Sequence, residues 1–245
     1  MSERVLLQPG FILHRRPYRN SSLIVEFFTQ NYGRIAGVIK GARRPKSPYL
    51  GLTQVFFPVL VSWLGKGDLV TITALEGTGR AMLVHPQAIY VGFYLNELIL
   101  RLLQNQDPHA GLYSNYEGIL TQLTGSRQDE WHLRIFEKKL LQALGFGLIL
   151  DREVTQQVAL QADQKYHYVM ELGPVLAQEE RSSQNEGVLV LGECLLCLNH
   201  ELAMNRQVLH QAKLLMRTVL DYYLGHKPLK TRLIYQQMCL KDSAP

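Results

Sequence analysis

The chain has 245 residues, 47% of them hydrophobic and 19% charged, a balance that excludes a disordered or low-complexity protein as the default reading. Its net charge of +5 is unevenly spread: residues 1–80 carry 11 Lys and Arg against 4 Asp and Glu, whereas residues 81–245 carry 15 against 17. Three cysteines (Cys194, Cys197, Cys239) exclude a disulfide framework, and no apolar run approaches the roughly 18 residues that a membrane span needs.

The N-terminus lacks the charged, apolar, small-residue order of a secretory signal, so a cytoplasmic protein is expected. Residues 5–75 then read as strands. QPGFILHRR, SLIVEFFT and GRIAGVIKG are short runs rich in Ile, Val, Leu and Phe, separated by the turn-formers Pro17, Asn20 and Ser21, then Asn31, Tyr32 and Gly33. TQVFFPVLVSWLG and DLVTITAL follow, joined through Gly65, Lys66 and Gly67 as in a hairpin. Five short strands in so few residues predict a small barrel or curled sheet, because a flat sheet would leave its edges open.

Between the third and fourth strands lies VIKGARRPKS. Val38 and Ile39 suit a sheet interior, while Lys40, Arg43, Arg44 and Lys46 place four cations within seven residues, and Gly41 and Pro45 oppose a helix. Arg15, Arg16 and Arg19 in the first turn, Arg34 at the opening of the third strand and Lys66 in a later turn carry the same sign. Loops of a small barrel converge at a rim or flank one face, so these cations predict a surface that follows a phosphate backbone. Tyr18, Tyr32, Tyr49 and Trp63 are candidates for base stacking, worth roughly 1 to 3 kcal/mol per base. Charge alone does not separate nucleic acid from an acidic protein.

The pattern changes near His85 and Pro86. QAIYVGFYLNELILRLLQN sets Glu97, Arg101 and Gln104 on one side at helical spacing, with Ile89, Phe93, Leu95, Leu98, Leu102 and Leu103 over most of the rest. Helices over 111–123 and 129–144 follow, the second with Ser126 and Asp129 as candidate caps and Gly145 as its stop, predicting an antiparallel bundle. Around 150–190 the chain is irregular: KYHYVMEL and GVLVLG read as small strands about an exposed polar loop, QEERSSQNEG. A helix over 206–224 is broken by GHKPL and resumes over 230–239. The fold class expected is α+β, with residues 1–80 as the barrel domain and 81–245 as a mainly helical domain carrying a small irregular or β insertion.

Catalytic signatures are missing. There is no G-x-S-x-G elbow, no Walker loop and no G-x-G-x-x-G between a strand and a helix, and the eight histidines are scattered over separate elements. Cys194 and Cys197 form C-L-L-C, half of a zinc site, without a second pair and among Leu195, Leu196 and Leu198, so two buried thiols on a helix are expected, with no metal and no cofactor.

In order along the chain, FILHRRPYRNSSLIVEFFTQNYGRIAGVIKGARRPKS resembles the opening of the DNA repair protein RecO family, with its R-P-W/Y-x-E/D-x-S-L turn, F-T-x-x-x-G-R hairpin and K-G-A-R loop. GFYLNELILRLL and GHKPLKTRLIYQQ are similar to that family's first bundle helix and C-terminal signature. Where the first motif has an acidic residue this chain has Asn20.

The resemblance implies an N-terminal OB barrel and a helical C-terminal domain that bind single- and double-stranded DNA, anneal complementary strands and act with RecR to load RecA onto DNA coated by single-strand-binding protein. It also implies capture of that protein's acidic, Phe-ended tail, with Arg134 for the terminal carboxylate and Leu133, Leu140 or Leu141 walling a pocket. Some members carry a four-cysteine zinc site, which the single pair here does not reproduce. An RNA-binding OB protein and a zinc-dependent scaffold are the alternative classes.

Overall fold

The computed structural model describes residues 3–79, 82, 85–123, 129–177, 187–225 and 227–242. In chain order the elements are β1 (Arg4–Tyr18), β2 (Ser22–Thr29), β3 (Gly33–Ile39), β4 (Pro58–Leu64), β5 (Val70–Gly77), α1 (Pro86–Leu102), α2 (Ala110–Gln122), α3 (Asp129–Ala143), β6 (Lys165–Val169), β7 (Gly173–Leu176), β8 (Val188–Leu191), α4 (Gly192–His200), α5 (Arg206–Leu224) and α6 (Lys230–Asp242). They pack as two compact units, 1–126 with 229–245, and 127–228. Among the described residues no helix is long and apolar enough to cross a membrane.

The first five strands close into a barrel in the order β1-β2-β3-β5-β4, with β3 and β5 parallel and the other pairs antiparallel. This is the five-stranded topology of an OB fold. Alternation dictates the interior: Leu23, Val25 and Phe27 of β2, Val59, Val61 and Trp63 of β4, and Ile35 and Ile39 of β3 all point inward. Between Ser62 and Trp63 the β4–β5 register slips, which lets both Ile72 and Leu75 of β5 reach the same core. Where β5 meets β3 a side chain at Gly37 would run into the side chain of Ile72 and force it to shift within the core, so glycine suits that approach. β1 runs on to Tyr18, past the turn expected at Pro17. β4 leaves β1 at Phe11, so the later part of β1 is paired with β2 alone and tolerates a proline without an N–H.

A second apolar layer lies outside the barrel. Phe11 and Phe28, opposite one another in register and wholly buried, face outward against Tyr113 and Tyr116 of α2, with ring centroids 5.4–5.8 Å apart. Asn96 of α1, also buried, donates to the Leu13 carbonyl at 2.8 Å and accepts from the Tyr116 hydroxyl. These outward-facing aromatics need cover, so α1, α2 and α6 belong with the barrel rather than to the single antiparallel bundle expected from the sequence. Phe93, read as buried, is 41% exposed and meets Phe56 edge-on.

Glu97 of α1 caps α6 from outside that helix, accepting from Lys230 N at 2.8 Å, Thr231 N at 2.9 Å and the Thr231 hydroxyl at 2.7 Å. Burial pushes its carboxyl upward, but these hydrogen bonds and the nearby Arg101 more than offset this and hold it below the ordinary glutamate range. A depressed carboxyl stabilises the fold above its unfolded value and ceases to as pH falls through its folded one. Glu97→Gln is therefore expected to lose about 1 kcal/mol at neutral pH in urea unfolding. The gap to wild type should close below about pH 4. An equal gap at both pH values would contradict the cap.

In the second unit, β7-β6-β8 forms a small antiparallel sheet against α4 and α5, and α3 packs on those two helices. Tyr166, Tyr168, Val188 and Val190 are buried while Lys165 and Leu189 face outward, the alternation of a sheet covered on one side. β6 and β8 fall on the two expected strands; β7, only four residues long, was not anticipated. Gly145, at φ +82°, stops α3 as expected, with Phe146 N donating back to the Leu141 carbonyl at 2.9 Å. Lys138 of α3 closes the end of α4, donating to Leu198 O at 2.9 Å, Asn199 O at 3.3 Å and the Glu201 carboxylate at 3.0 Å. The polar loop around 178–186, Ser126 and the side chains of Asp129 and Cys239 lie outside the described residues.

Candidate nucleic-acid interface

Two connections of the barrel meet at one end. The turn Arg19–Ser21 leads from β1 into β2, and the stretch 40–57 leads out of β3, whose end is paired with the start of β2. Arg43 N donates to the Ser21 carbonyl at 2.8 Å and its guanidinium reaches the Arg19 carbonyl at 3.4 Å. Arg15, near the end of β1, donates to the hydroxyl of Thr53 at 3.3 Å. Ala42, Thr53 and Phe56 are buried and root the basic loop, while Arg15, Arg16, Arg19, Lys40, Arg43, Arg44 and Lys46 are all exposed. Five cations from the two connections and two from the end of β1 thus share one end of the barrel. Arg15 and Arg16 sit on β1 rather than in the turn, because β1 continues to Tyr18.

Two predicted cations do not join them. Arg34 donates from Nε to Asn105 Oδ1 at 2.8 Å and from Nη1 to the carbonyls of Leu100 and of Leu103, the latter at 3.1 Å, with Glu26 3.8 Å away. Its guanidinium closes the C-terminal turn of α1, a structural task invisible to local pattern because its partners are some 70 residues away. Lys66 is exposed and pairs with Glu3 at 3.5 Å. It lies in the turn before β5, beside the start of β3, at the other end of that strand from the Arg19 and Arg43 group.

The aromatic residues proposed for stacking are mostly inside. Trp63 is 3% exposed within the barrel, Tyr32 meets it edge-on at 5.1 Å, and Tyr49 packs on the same core. Two of the four belong to the cationic end: Tyr49, packed down on the core from the basic loop, and Tyr18, with the Arg19 guanidinium 5.1 Å from its ring centre. The outer side of β2 and β3, where OB barrels commonly take oligonucleotides, is closed as well: Ile24, Phe28 and Ala36 point out of the barrel yet are buried. What stays open is the end made by the first turn and the basic loop.

Comparison with known proteins bears on what this end serves. Residues 1–80 match the family described as Recombination protein O N terminal, and residues 85–233 the family described as Recombination protein O C terminal. The chain is 42% identical over 232 residues to the DNA repair protein RecO of Coxiella burnetii (strain RSA 331 / Henzerling II), covering 95% of this chain and 98% of that one. Against the DNA repair protein RecO of Nitrosococcus oceani it is 42% identical over 235 residues, covering 96% and 94%. The chain belongs to the RecO family. The DNA repair protein RecO of Dechloromonas aromatica is 38% identical over 243 residues, 97% of this chain and 98% of that one. RecO proteins are DNA repair proteins, and the OB-like barrel followed by helices is the architecture expected of one.

The tail site implied by the RecO resemblance is not assembled at the surface. Arg134 is 5% exposed and paired at 3.1 Å with Glu137, itself wholly buried. Leu140 and Leu141 are wholly buried core residues, and of the four only Leu133 is partly exposed. An incoming carboxylate would have to displace Glu137 to reach Arg134. As for the zinc centre of some RecO proteins, Cys194 and Cys197 lie one turn apart on α4, both buried as expected. Burial pushes the Cys194 thiol up to about 12 and raises Cys197 as well, as for thiols that serve as packing groups. Among the described residues no group of three or more metal-binding side chains is gathered. Two cysteines on one helix supply half of the ligands that a four-thiolate centre needs.

Proposed function

We propose that this RecO family member is a non-enzymatic recombination mediator that acts in the cytoplasm. Its barrel holds single- and double-stranded DNA by the phosphates through Arg15, Arg16, Arg19, Lys40, Arg43, Arg44 and Lys46. It anneals complementary strands by screening their repulsion and, with RecR, loads RecA onto DNA coated by single-strand-binding protein. The observation that carries this reading is the pinning of two cationic connections to each other at the barrel's open end. Fixing the cations before DNA arrives reduces the ordering that binding would otherwise require. Arg34 is left out because its donors are engaged within the fold, and Lys66 because it lies apart. Capture of the tail of single-strand-binding protein stays within the proposal, with Arg134 supporting the helical unit rather than meeting the tail.

The test is DNA binding across a salt series. Changing Arg43, Arg44 and Lys46 together to Ala should weaken single-strand binding about 100-fold near 0.1 M salt and lower the slope of log K against log salt by about 2, since three phosphate contacts are lost. Arg34→Gln should leave that slope unchanged while lowering the melting temperature. Wild-type slope and affinity in the triple variant would remove this end of the barrel from DNA binding.

A further inference from the structure

Phosphate contacts alone hold a nucleic acid without touching its bases, and the candidate aromatics are packed in or on the barrel core or, for Tyr18, engaged on one face by Arg19. The basic loop supplies another group. After Lys46 the chain folds through successive tight turns, Ser47 N to Arg44 O at 3.0 Å, Leu50 N to Ser47 O at 3.3 Å and Leu52 N to Tyr49 O at 3.1 Å, before rooting at the buried Thr53. Tyr49 and Leu52 pack down on the barrel core, whereas Leu50 between them is 51% exposed. Pro48 and Gly51 beside it are exposed too, and a side chain at Gly51 would meet nothing within 4 Å. A single exposed leucine is ordinary on a protein surface. This one is held outward by a hydrogen-bonded turn directly after Lys46, on the loop that bears most of the cations.

We propose that Leu50 is a base-contacting wedge. This rests on the DNA-binding reading above: the cations of the loop hold phosphates, and Leu50 packs against the faces of unstacked bases. Its ligand is single-stranded nucleic acid, whose base faces are accessible, whereas a closed duplex offers none without unstacking. The contact tolerates any sequence, because every base has an apolar face.

The two contributions separate in one experiment, because phosphate contacts set the salt slope and an apolar contact does not. Binding of wild type, Leu50→Ser, Leu50→Trp and the Arg43, Arg44, Lys46 triple-Ala variant is measured on a single strand carrying 2-aminopurine and on a blunt duplex. Leu50→Ser is expected to lose about fivefold on the single strand with an unchanged salt slope and unchanged duplex binding, and to abolish the fluorescence change of the probe. Leu50→Trp should bind the single strand at least as tightly as wild type, which also guards against a misfolded serine variant. If Leu50→Ser and Leu50→Trp both match wild type while the triple variant is weakened, the wedge is wrong and the DNA site stands. If Leu50→Ser loses equally on duplex and single strand, base contact is refuted. An unaffected triple variant would overturn the DNA reading and the wedge together.

Discussion

Arg134→Ala is expected to destabilise the unit formed by residues 127–228 by about 3–5 kcal/mol. Glu137 is wholly buried, and the Arg134 guanidinium lies 3.1 Å from its carboxylate. Truncating the arginine leaves a carboxylate in a low-dielectric interior without that charge, and it opens a cavity where the side chain had packed. Replacing both residues by apolar ones, Arg134→Met with Glu137→Leu, should recover most of the loss, because neither charge then has to be desolvated. Each of the chain's two tryptophans reports on its own unit: Trp131 lies on α3 and Trp63 inside the barrel. In a Trp63→Phe background, urea unfolding followed by Trp131 fluorescence isolates the effect. A single variant within 1 kcal/mol of its parent would mean that the pair is not the support described. The result matters for partner mapping, since a loss of tail binding in Arg134→Ala would need a stability measurement beside it before it named a contact.

Phe28→Ala is expected to remove a comparable amount, about 3–5 kcal/mol, from the barrel's unit. The ring is wholly buried outside the barrel, edge-on to Tyr116 at 5.8 Å and tilted on Tyr113 at 5.6 Å. Its loss leaves a cavity between strand and helix that Phe11, locked opposite it, has no freedom to fill. Phe28→Leu should lose clearly less, because most of the volume is kept. Trp63 fluorescence in a Trp131→Phe background reads the transition. DNA binding measured well below that transition should keep the wild-type salt slope, since no phosphate contact is touched. A lowered slope would mean that the cationic end depends on the helices.

How much of this was legible in the sequence depended on range. Alternation in Leu23, Val25, Phe27 and in Val59, Val61, Trp63 revealed barrel strands, because period 2 is a local signal; carried through to Trp63, the same signal would have placed that ring inside rather than among the stacking candidates. Helical spacing found α2, α3 and α5 within a residue and α1 within three. The same alternation did not say that Phe11 and Phe28 lie outside the barrel, since a strand apolar on both faces has no marked inner side. Arg34 looked like any other cation of the N-terminal third because its acceptors, Asn105 and the end of α1, are remote in sequence. The resemblance offers Arg134 to a carboxylate from outside, and nothing local in the sequence opposes this because the burial of Glu137 beside it follows from tertiary packing alone. At the candidate site the positions of charge were legible; which cations converge was not, for that rests on the hydrogen bond between Arg43 and Ser21 and the path of β1 to Tyr18.

The closed flank of β2 and β3 has a bearing on the length of strand each molecule occupies. An OB barrel that binds along that flank lays a strand across its width. Here the proposed contact is confined to a rounded tip of two connections, so a bound strand would pass over the protein rather than lie in it. Its footprint should sit toward the short end of the roughly 4–16 nucleotides per barrel seen among such folds. Nucleotides on either side would remain uncovered, available to a complementary strand while the tip still holds the first.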